Sequence, residues 1–283
     1  MSGLEVTGLV TDFENRTTSI RALHGVSFGV GESEVVGIVG ESGSGKSTVV
    51  RSIIKLLMPP GKVTEGHVDF YGASLLDLKE RELRRIRGKE IGFVAQNPFS
   101  ALNPVLRIEK QFDNIAKAHG APRGQELHRR AVDLLEATGV KDAERVIRGY
   151  AHELSGGMAQ RVVIAMALFL NPRLVIADEP TTALDLTVQR QVLDTLTRLT
   201  VDSGRSMLIV THDLGVVANY CDRVLVMYQG RIVEQGPVSR VFVTPEHEYT
   251  ASLLDSVVRP EESPAGGTRN IATVGVRPKV MEY

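Results

Sequence analysis

The chain has 283 residues, 42% of them hydrophobic and 24% charged, an ordinary balance for a globular protein able to bury a substantial core. Its 33 Lys and Arg face 34 Asp and Glu, so no polybasic field points to nucleic acid or to an anionic membrane. Cys221 is the only cysteine, which excludes an internal disulfide or a cysteine cluster and suits a reducing compartment. The first residues, MSGLEVTGLV, lack the basic-then-apolar pattern of a secretory leader. The longest unbroken apolar run, Val162 to Leu170, is nine residues, against the roughly 20 that a bilayer requires. A soluble cytoplasmic protein is expected.

In chain order, strands are predicted at 4–10, 22–30, 34–39, 67–71, 90–95, 173–178, 206–211, 223–228 and 231–235. Helices are predicted at 46–57, 80–87, 125–138, 158–170, 187–201 and 213–220. Val35–Val39 and Leu174–Ala177 are nearly all apolar, as strands buried on both faces should be. Within 125–138, Leu127, Ala131, Leu134 and Leu135 recur at helical spacing with charges on the opposite face. Alternating strands and helices predict an α/β fold with a mainly parallel sheet. From about Asn97 to Leu170 there are only helical patterns, which predicts a helical subdomain inserted into that core. After Arg259 the sequence turns to Pro, Glu, Ser and Gly, and the tail 260–283 is expected to be loosely ordered.

The stretch Gly40-Glu41-Ser42-Gly43-Ser44-Gly45-Lys46-Ser47-Thr48 fits G-x-x-x-x-G-K-[ST], between a predicted strand and a predicted helix. Side chains this small build no core; their value is exposed backbone. Successive N–H groups converge on phosphate oxygens, and the N-terminus of the following helix adds positive partial charge. Lys46 is expected to reach the β- and γ-phosphates and the Ser47 hydroxyl to bind Mg²⁺. A chance match is expected about once per hundred chains of this length, before the strand–helix context is counted. The loop therefore predicts a nucleoside triphosphate.

In RLVIADEP, 173–180, a buried strand ends in two adjacent carboxylates. Asp178 fits the Mg²⁺-side carboxylate and Glu179 a general base for the attacking water. Alone, Asp-Glu after a strand is more often a solvated strand end; the phosphate loop upstream reverses those odds. In LSGGMAQRVVIAMAL, 154–168, Ser155 stands where a helix N-cap belongs, and two glycines follow it. By itself that is an ordinary turn before a helix.

Taken together these motifs resemble the ATP-binding cassette (ABC) ATPases, whose signature is LSGGQ followed by QR. The resemblance implies a P-loop NTPase core with an antiparallel β portion and the inserted helical subdomain, a cassette over residues 1–259, and ATP with Mg²⁺ as cofactors. It implies that Ser155, Gly156, Gly157 and Met158 complete the nucleotide site of a second protomer in a head-to-tail dimer, homo- or heteromeric. Gln96 looks like the glutamine that reaches Mg²⁺ and the attacking water. Ala183-Leu184-Asp185 looks like the loop that crosses the dimer interface, and His212 like the histidine at the γ-phosphate. Phe13 is the expected adenine-stacking ring, with Phe28 as its competitor.

VGESGSGKST, QNPFSALNP, IADEPTTALD, THDLGVVA and the late PEHEYTASLL narrow the resemblance to the dipeptide, oligopeptide and nickel importer branch, from about Leu4 to Arg259. Ala159 and Glu248 depart from that branch's Arg and Pro, and the tail lacks the cysteines of an iron–sulfur cluster, so none is expected. The branch implies ATP-driven uptake of a small solute, a peptide or alternatively nickel, through separate transmembrane subunits, with an extracytoplasmic solute-binding protein as an indirect partner. It implies a peripheral location on the cytoplasmic face of the inner membrane. Phe99 and Leu102 are expected, if exposed, to form part of the docking surface for those subunits; the alternative is that Phe99 folds back as subdomain core. A soluble cassette ATPase of DNA repair or translation would need a long coiled coil, a zinc-bearing insertion or a second cassette. A P-loop small-molecule kinase leaves the LSGG segment unexplained.

Overall fold

The computed structural model describes residues 2–14, 17, 19–182 and 184–258. The expected loose tail at 260–283 and Ala183 of the interface loop lie outside the described residues. The elements run β1 (Ser2–Glu14), β2 (Ser19–Gly31), β3 (Val35–Val39), α1 (Lys46–Ile53), β4 (Gly61–Phe70), β5 (Ala73–Ser74) and α2 (Glu80–Ile86). They continue with β6 (Ile91–Val94), α3 (Pro98–Ala101), α4 (Ile108–His119), α5 (Gln125–Ala137), α6 (Ala143–Arg148) and α7 (Gly156–Leu168). The last are β7 (Leu174–Asp178), α8 (Leu186–Val201), β8 (Ser206–Val210), α9 (Leu214–Tyr220), β9 (Arg223–Tyr228), β10 (Arg231–Pro237), α10 (Val238–Val241) and α11 (Glu248–Val258).

The chain forms two compact units. One comprises the residues to Gly3, Val30–Glu34 and Phe70–Ile209. Its strands lie in the order β8-β7-β6, with β6 and β7 parallel in the register Ile91↔Leu174 to Val94↔Ala177. Every residue of β7 and β8 is buried, which explains the apolar runs Leu174–Ala177 and Met207–Val210 that make up all but one residue of each. Between Asn97 and Leu170 the described residues hold α3 to α7 and no strand. There Ile108, Gln111, Phe112 and Ala116 form the inward face of α4. Phe112 packs edge-on against Phe169 at 5.1 Å between ring centres. Helix α7 carries eight buried residues in 13, so it has no solvent-facing stripe.

The other unit comprises Leu4–Gly29, Val35–Asp69 and the described residues from Val210 onward. Its strands form the orders β2-β1-β4 and β10-β9-β3. Strand β3 is parallel to β9 (Val36↔Arg223 to Val39↔Val226), and β9 is antiparallel to β10. In the first of these sheets the Asp12 carboxylate accepts two bonds from Arg21, at 2.9 and 3.2 Å, and one from Thr64 at 2.8 Å, so one side chain ties β1, β2 and β4 together. The Arg21 guanidinium holds the Asp12 carboxyl below the usual carboxylate range. Val39, Leu214, Val217, Val224, Val226, Val241 and Leu254 build the core beside β3, with Cys221 packed against it. Burial pushes the Cys221 thiol up.

Some boundaries differ from expectation for physical reasons. Strand β4 begins at Gly61 rather than 67; Lys62, Thr64 and Glu65 give it no apolar alternation, and strand pairing and the Thr64–Asp12 bond hold it instead. Helix α1 ends at Ile53 rather than 57. There Lys55 takes a left-handed φ of 50°, and the N–H groups of Lys55 and Leu56 donate back to Ser52 and Arg51, a Schellman turn with lysine in glycine's place. Helices α3, α4, α6, α10 and α11 fall outside the individually predicted helices.

Candidate functional site

In the unit containing β3, the loop 40–48 leaves a fully buried strand and runs into α1. A Cβ on Gly40 would lie 2.1 Å from the Met227 carbonyl oxygen, so only glycine lets the chain turn here. Gly45, at the N-cap of α1, has a φ of 103° and likewise needs glycine. Lys46 is 95% buried, and its ammonium donates at 2.8 Å to both the Gly40 and Glu41 carbonyls. The loop is anchored from outside by the Gly230 N–H, 3.0 Å from the Ser44 carbonyl. The Ser44 hydroxyl oxygen is buried without a hydrogen-bond partner. Glu41, Ser42 and Gly43 are exposed, and Ser47 and Thr48 half-buried. A buried ammonium, an orphaned hydroxyl and the N-terminus of α1 together fit a phosphate-bearing ligand.

His212 is exposed and stands next to Thr211, whose N–H donates to the Ile38 carbonyl at 3.0 Å. It therefore lies near the end of β3 from which the loop departs. Asp213 caps α9 through Gly215 N–H at 2.7 Å, which fixes the chain direction just after the histidine. Of the two candidate aromatics, Phe28 is 4% exposed and belongs to the core. Phe13 is half-buried, its ring resting on Gly61, where a Cβ would come within 2.6 Å of Cε1.

In the other unit, Asp178 closes β7 and is 1% exposed. Glu179 follows with a φ of 47°, a left-handed conformation that costs a non-glycine residue about 1–3 kcal/mol and is tolerated where function needs it. One oxygen of its carboxylate accepts the Gln96 amide at 2.8 Å and the Thr182 hydroxyl at 2.9 Å. Two donors from separate segments thus fix a carboxylate on a strained backbone.

Ser155 caps α7, accepting the Met158 N–H at 3.3 Å, and Ser155 and Gly156 are exposed. Asp185 caps α8, accepting the Thr187 and Val188 N–H groups at 3.1 and 3.0 Å. A Cβ on Gly157 would lie 3.0 Å from Val188 Cγ1, so the starts of α7 and α8 adjoin. Arg161 ties α7 to its neighbours through the Thr138 carbonyl at 2.6 Å and Gln191 at 3.0 Å. A cleft of about 450 Å³ is lined by Gln96, Pro98, Phe99, Gly156, Gln160 and Thr182, among others. Phe99 is 46% exposed at its rim and Leu102 is buried at 3%, so the two residues expected at one surface divide. Gln160 is 2% exposed with its amide nitrogen lacking a partner.

Sequence reasoning missed Thr182, which follows Glu179 by three residues, a spacing that lets its hydroxyl return to the carboxylate.

A glycine-rich strand–loop–helix with a buried lysine in one unit, and a buried aspartate followed by a pinned glutamate at a strand end in the other, are features that P-loop nucleotide hydrolases share. The family model described as ABC transporter matches residues 23–182. The chain is 46% identical over 261 residues to the oligopeptide transport ATP-binding protein OppD of Bacillus subtilis, covering 92% of this chain and 73% of that one. It is 48% identical over 262 residues to a putative peptide import ATP-binding protein of Brucella melitensis, covering 90% and 78%. A dimeric post-hydrolysis structure of the ATP-binding cassette MJ0796 bound to ADP and Pi superposes with a TM-score of 0.75 at 32% identity, covering 83% of this chain and 98% of that one. The chain belongs to the ABC transporter family, as one of its ATPase cassettes. Among the described residues, no helix is long and apolar enough to cross a membrane.

Proposed function

We propose that this ABC ATPase drives uptake of di- or oligopeptides through separate transmembrane subunits. The reading rests on the buried Lys46 ammonium held within the 40–48 loop, on the signature segment at α7, and on relatives named for peptide import. In it, Lys46 exchanges carbonyl partners for phosphate oxygens, a charge-assisted gain. The loop N–H groups and the Ser44 hydroxyl hold the remaining phosphate charge, and Phe13 stacks on the adenine. Mg²⁺ suits the hydroxyl, amide and carboxylate oxygens of Ser47, Gln96 and Asp178 and supplies charge neutralisation when bound. Glu179 accepts the proton of the attacking water, oriented by Gln96 and Thr182. His212 donates to the γ-phosphate.

Two cassettes, identical or related, close head to tail in this reading, so that Ser155, Gly156, Gly157 and Met158 of one protomer and the Asp185 loop meet the nucleotide of the other. Residues 1–259 form the cassette, 97–170 its helical subdomain, and 260–283 an appended tail. The cassette sits peripherally on the cytoplasmic face of the inner membrane, and an extracytoplasmic binding protein delivers the solute. The experiment is reconstitution in proteoliposomes with the membrane subunits and binding protein that co-purify with this chain from its source. Peptide-stimulated ATP hydrolysis with peptide accumulation is expected; a complex that accumulates only nickel or another solute overturns the peptide assignment.

A further inference from the structure

The segment Pro245–Leu254 carries no role in the nucleotide chemistry above, yet it is built onto the phosphate loop. The Glu234 carboxylate, 7% exposed, accepts the N–H groups of Glu246 at 3.0 Å and His247 at 3.1 Å. His247 Nδ1 in turn accepts the Tyr249 N–H at 3.1 Å, so the entrance of α11 is fixed turn by turn. Leu254 enters the same core as Val39, the residue that immediately precedes the loop. The Tyr249 ring lies over Tyr228 at 4.2 Å between centres, and its hydroxyl oxygen accepts the Glu41 N–H at 3.1 Å.

Glu41 is therefore gripped on both sides, its N–H by Tyr249 and its carbonyl by Lys46 at 2.8 Å. The grip matters because Gly43 and Gly45 both adopt positive φ, and glycines lose more conformational freedom than other residues when a loop is ordered. External anchors spare the ligand part of that ordering cost. When Lys46 turns from the Glu41 carbonyl to a phosphate, Tyr249 remains the anchor of that residue.

We propose that Tyr249 is a positioning residue for the nucleotide: it preorganises the 40–48 loop, and through it the terminal helix α11 is coupled to nucleotide binding. Linkage makes the coupling reciprocal, so nucleotide must also tighten α11. The inference rests on the reading of residues 40–48 as the phosphate loop.

The test uses the full chain and its Tyr249→Phe variant, with Tyr228→Phe as control, since the Tyr228 hydroxyl accepts from Gln229 at 3.2 Å. MgATP affinity, KM and kcat, the thermal midpoint without nucleotide, and hydrogen exchange of α11 with and without MgADP are measured. Loss of one hydrogen bond should weaken MgATP binding and raise KM roughly 3- to 10-fold. The midpoint and kcat should stay near wild type, and the MgADP-dependent protection of α11 should be lost. Tyr228→Phe should bind as wild type does. Tyr249→Phe with wild-type affinity overturns the proposal, as does an affinity loss matched by a general fall in thermal stability. A wild-type chain that fails to bind MgATP overturns instead the reading of the loop itself.

Discussion

The Gln96 side-chain amide donates to the Glu179 carboxylate at 2.8 Å, joining the segment after β6 to the one after β7. The bond ties the residue assigned to the attacking water to the chain leading into α3 and the cleft at Phe99. Gln96→Ala should therefore lower kcat at saturating MgATP by about 10-fold or more, short of the roughly 10²–10⁴-fold of general acid–base catalysis itself. Turnover across a nucleotide titration checks this; wild-type kcat would remove Gln96 from the positioning of Glu179.

Gly157→Asp should fold, bind MgATP and fail to hydrolyse it. A Cβ at Gly157 needs Val188 Cγ1, 3.0 Å away, to yield by a few tenths of an ångström. Gly157→Ala shares that contact without the charge and should keep most of its turnover. If the signature serves a second protomer, only the carboxylate meets the other nucleotide's phosphates, where like charges repel strongly in a water-poor interface. Equal loss in both variants would show that packing alone is at stake.

Phe99 and Leu102 separate interface from core. Phe99→Ser, at a 46% exposed position, should shift the thermal midpoint little and spare basal ATPase while weakening co-purification with the membrane subunits. Leu102→Ala, at 3% exposure, should cost about 2–5 kcal/mol and lower the midpoint by several degrees. A stable Phe99→Ser that still assembles fully would contradict the docking role.

Much of this was legible in the sequence because the chemistry restricts residue types tightly. The 40–48 loop, the Asp178-Glu179 strand end and the Ser155 cap each combine a fixed spacing with a local structure that periodicity also predicts. What escaped depends on contacts between distant segments. Tyr249 reaches Glu41 across 208 residues, and nothing local to either residue announces it. Phe99 and Leu102 stand three residues apart in one apolar-flecked turn, and only folding assigned one outward and one inward. The polar half of β4 was hidden for a related reason, since pairing rather than burial makes it a strand.

His128 gives the helical segment a pH dependence of known sign. Its Nδ1 lies 2.8 Å from Glu109 on α4 and its Nε2 3.2 Å from Glu144 on α6, where Arg148 also pairs with Glu144. The hydrogen bond to Glu109, then that to Glu144, raises the His128 pKa despite partial burial. A folded pKa above the unfolded value of about 6.5 contributes stability that is complete below 6.5 and is lost as pH rises through the folded pKa. His128→Gln should therefore destabilise more at pH 5.5 than at pH 8.5, by denaturant titration. The opposite ordering would contradict the bridge.

The central claim, that this chain hydrolyses ATP with Glu179 as base and does so between two cassettes, is tested most directly by sedimentation of Glu179→Gln. The exchange keeps the shape of the side chain, and its amide oxygen can still accept from Gln96 and Thr182, but it abolishes the proton acceptor. With MgATP the variant is expected to sediment as a stable dimer retaining ATP, and without nucleotide as a monomer, while steady-state turnover falls at least 100-fold. Near wild-type turnover, or a monomer at saturating MgATP, would contradict the account.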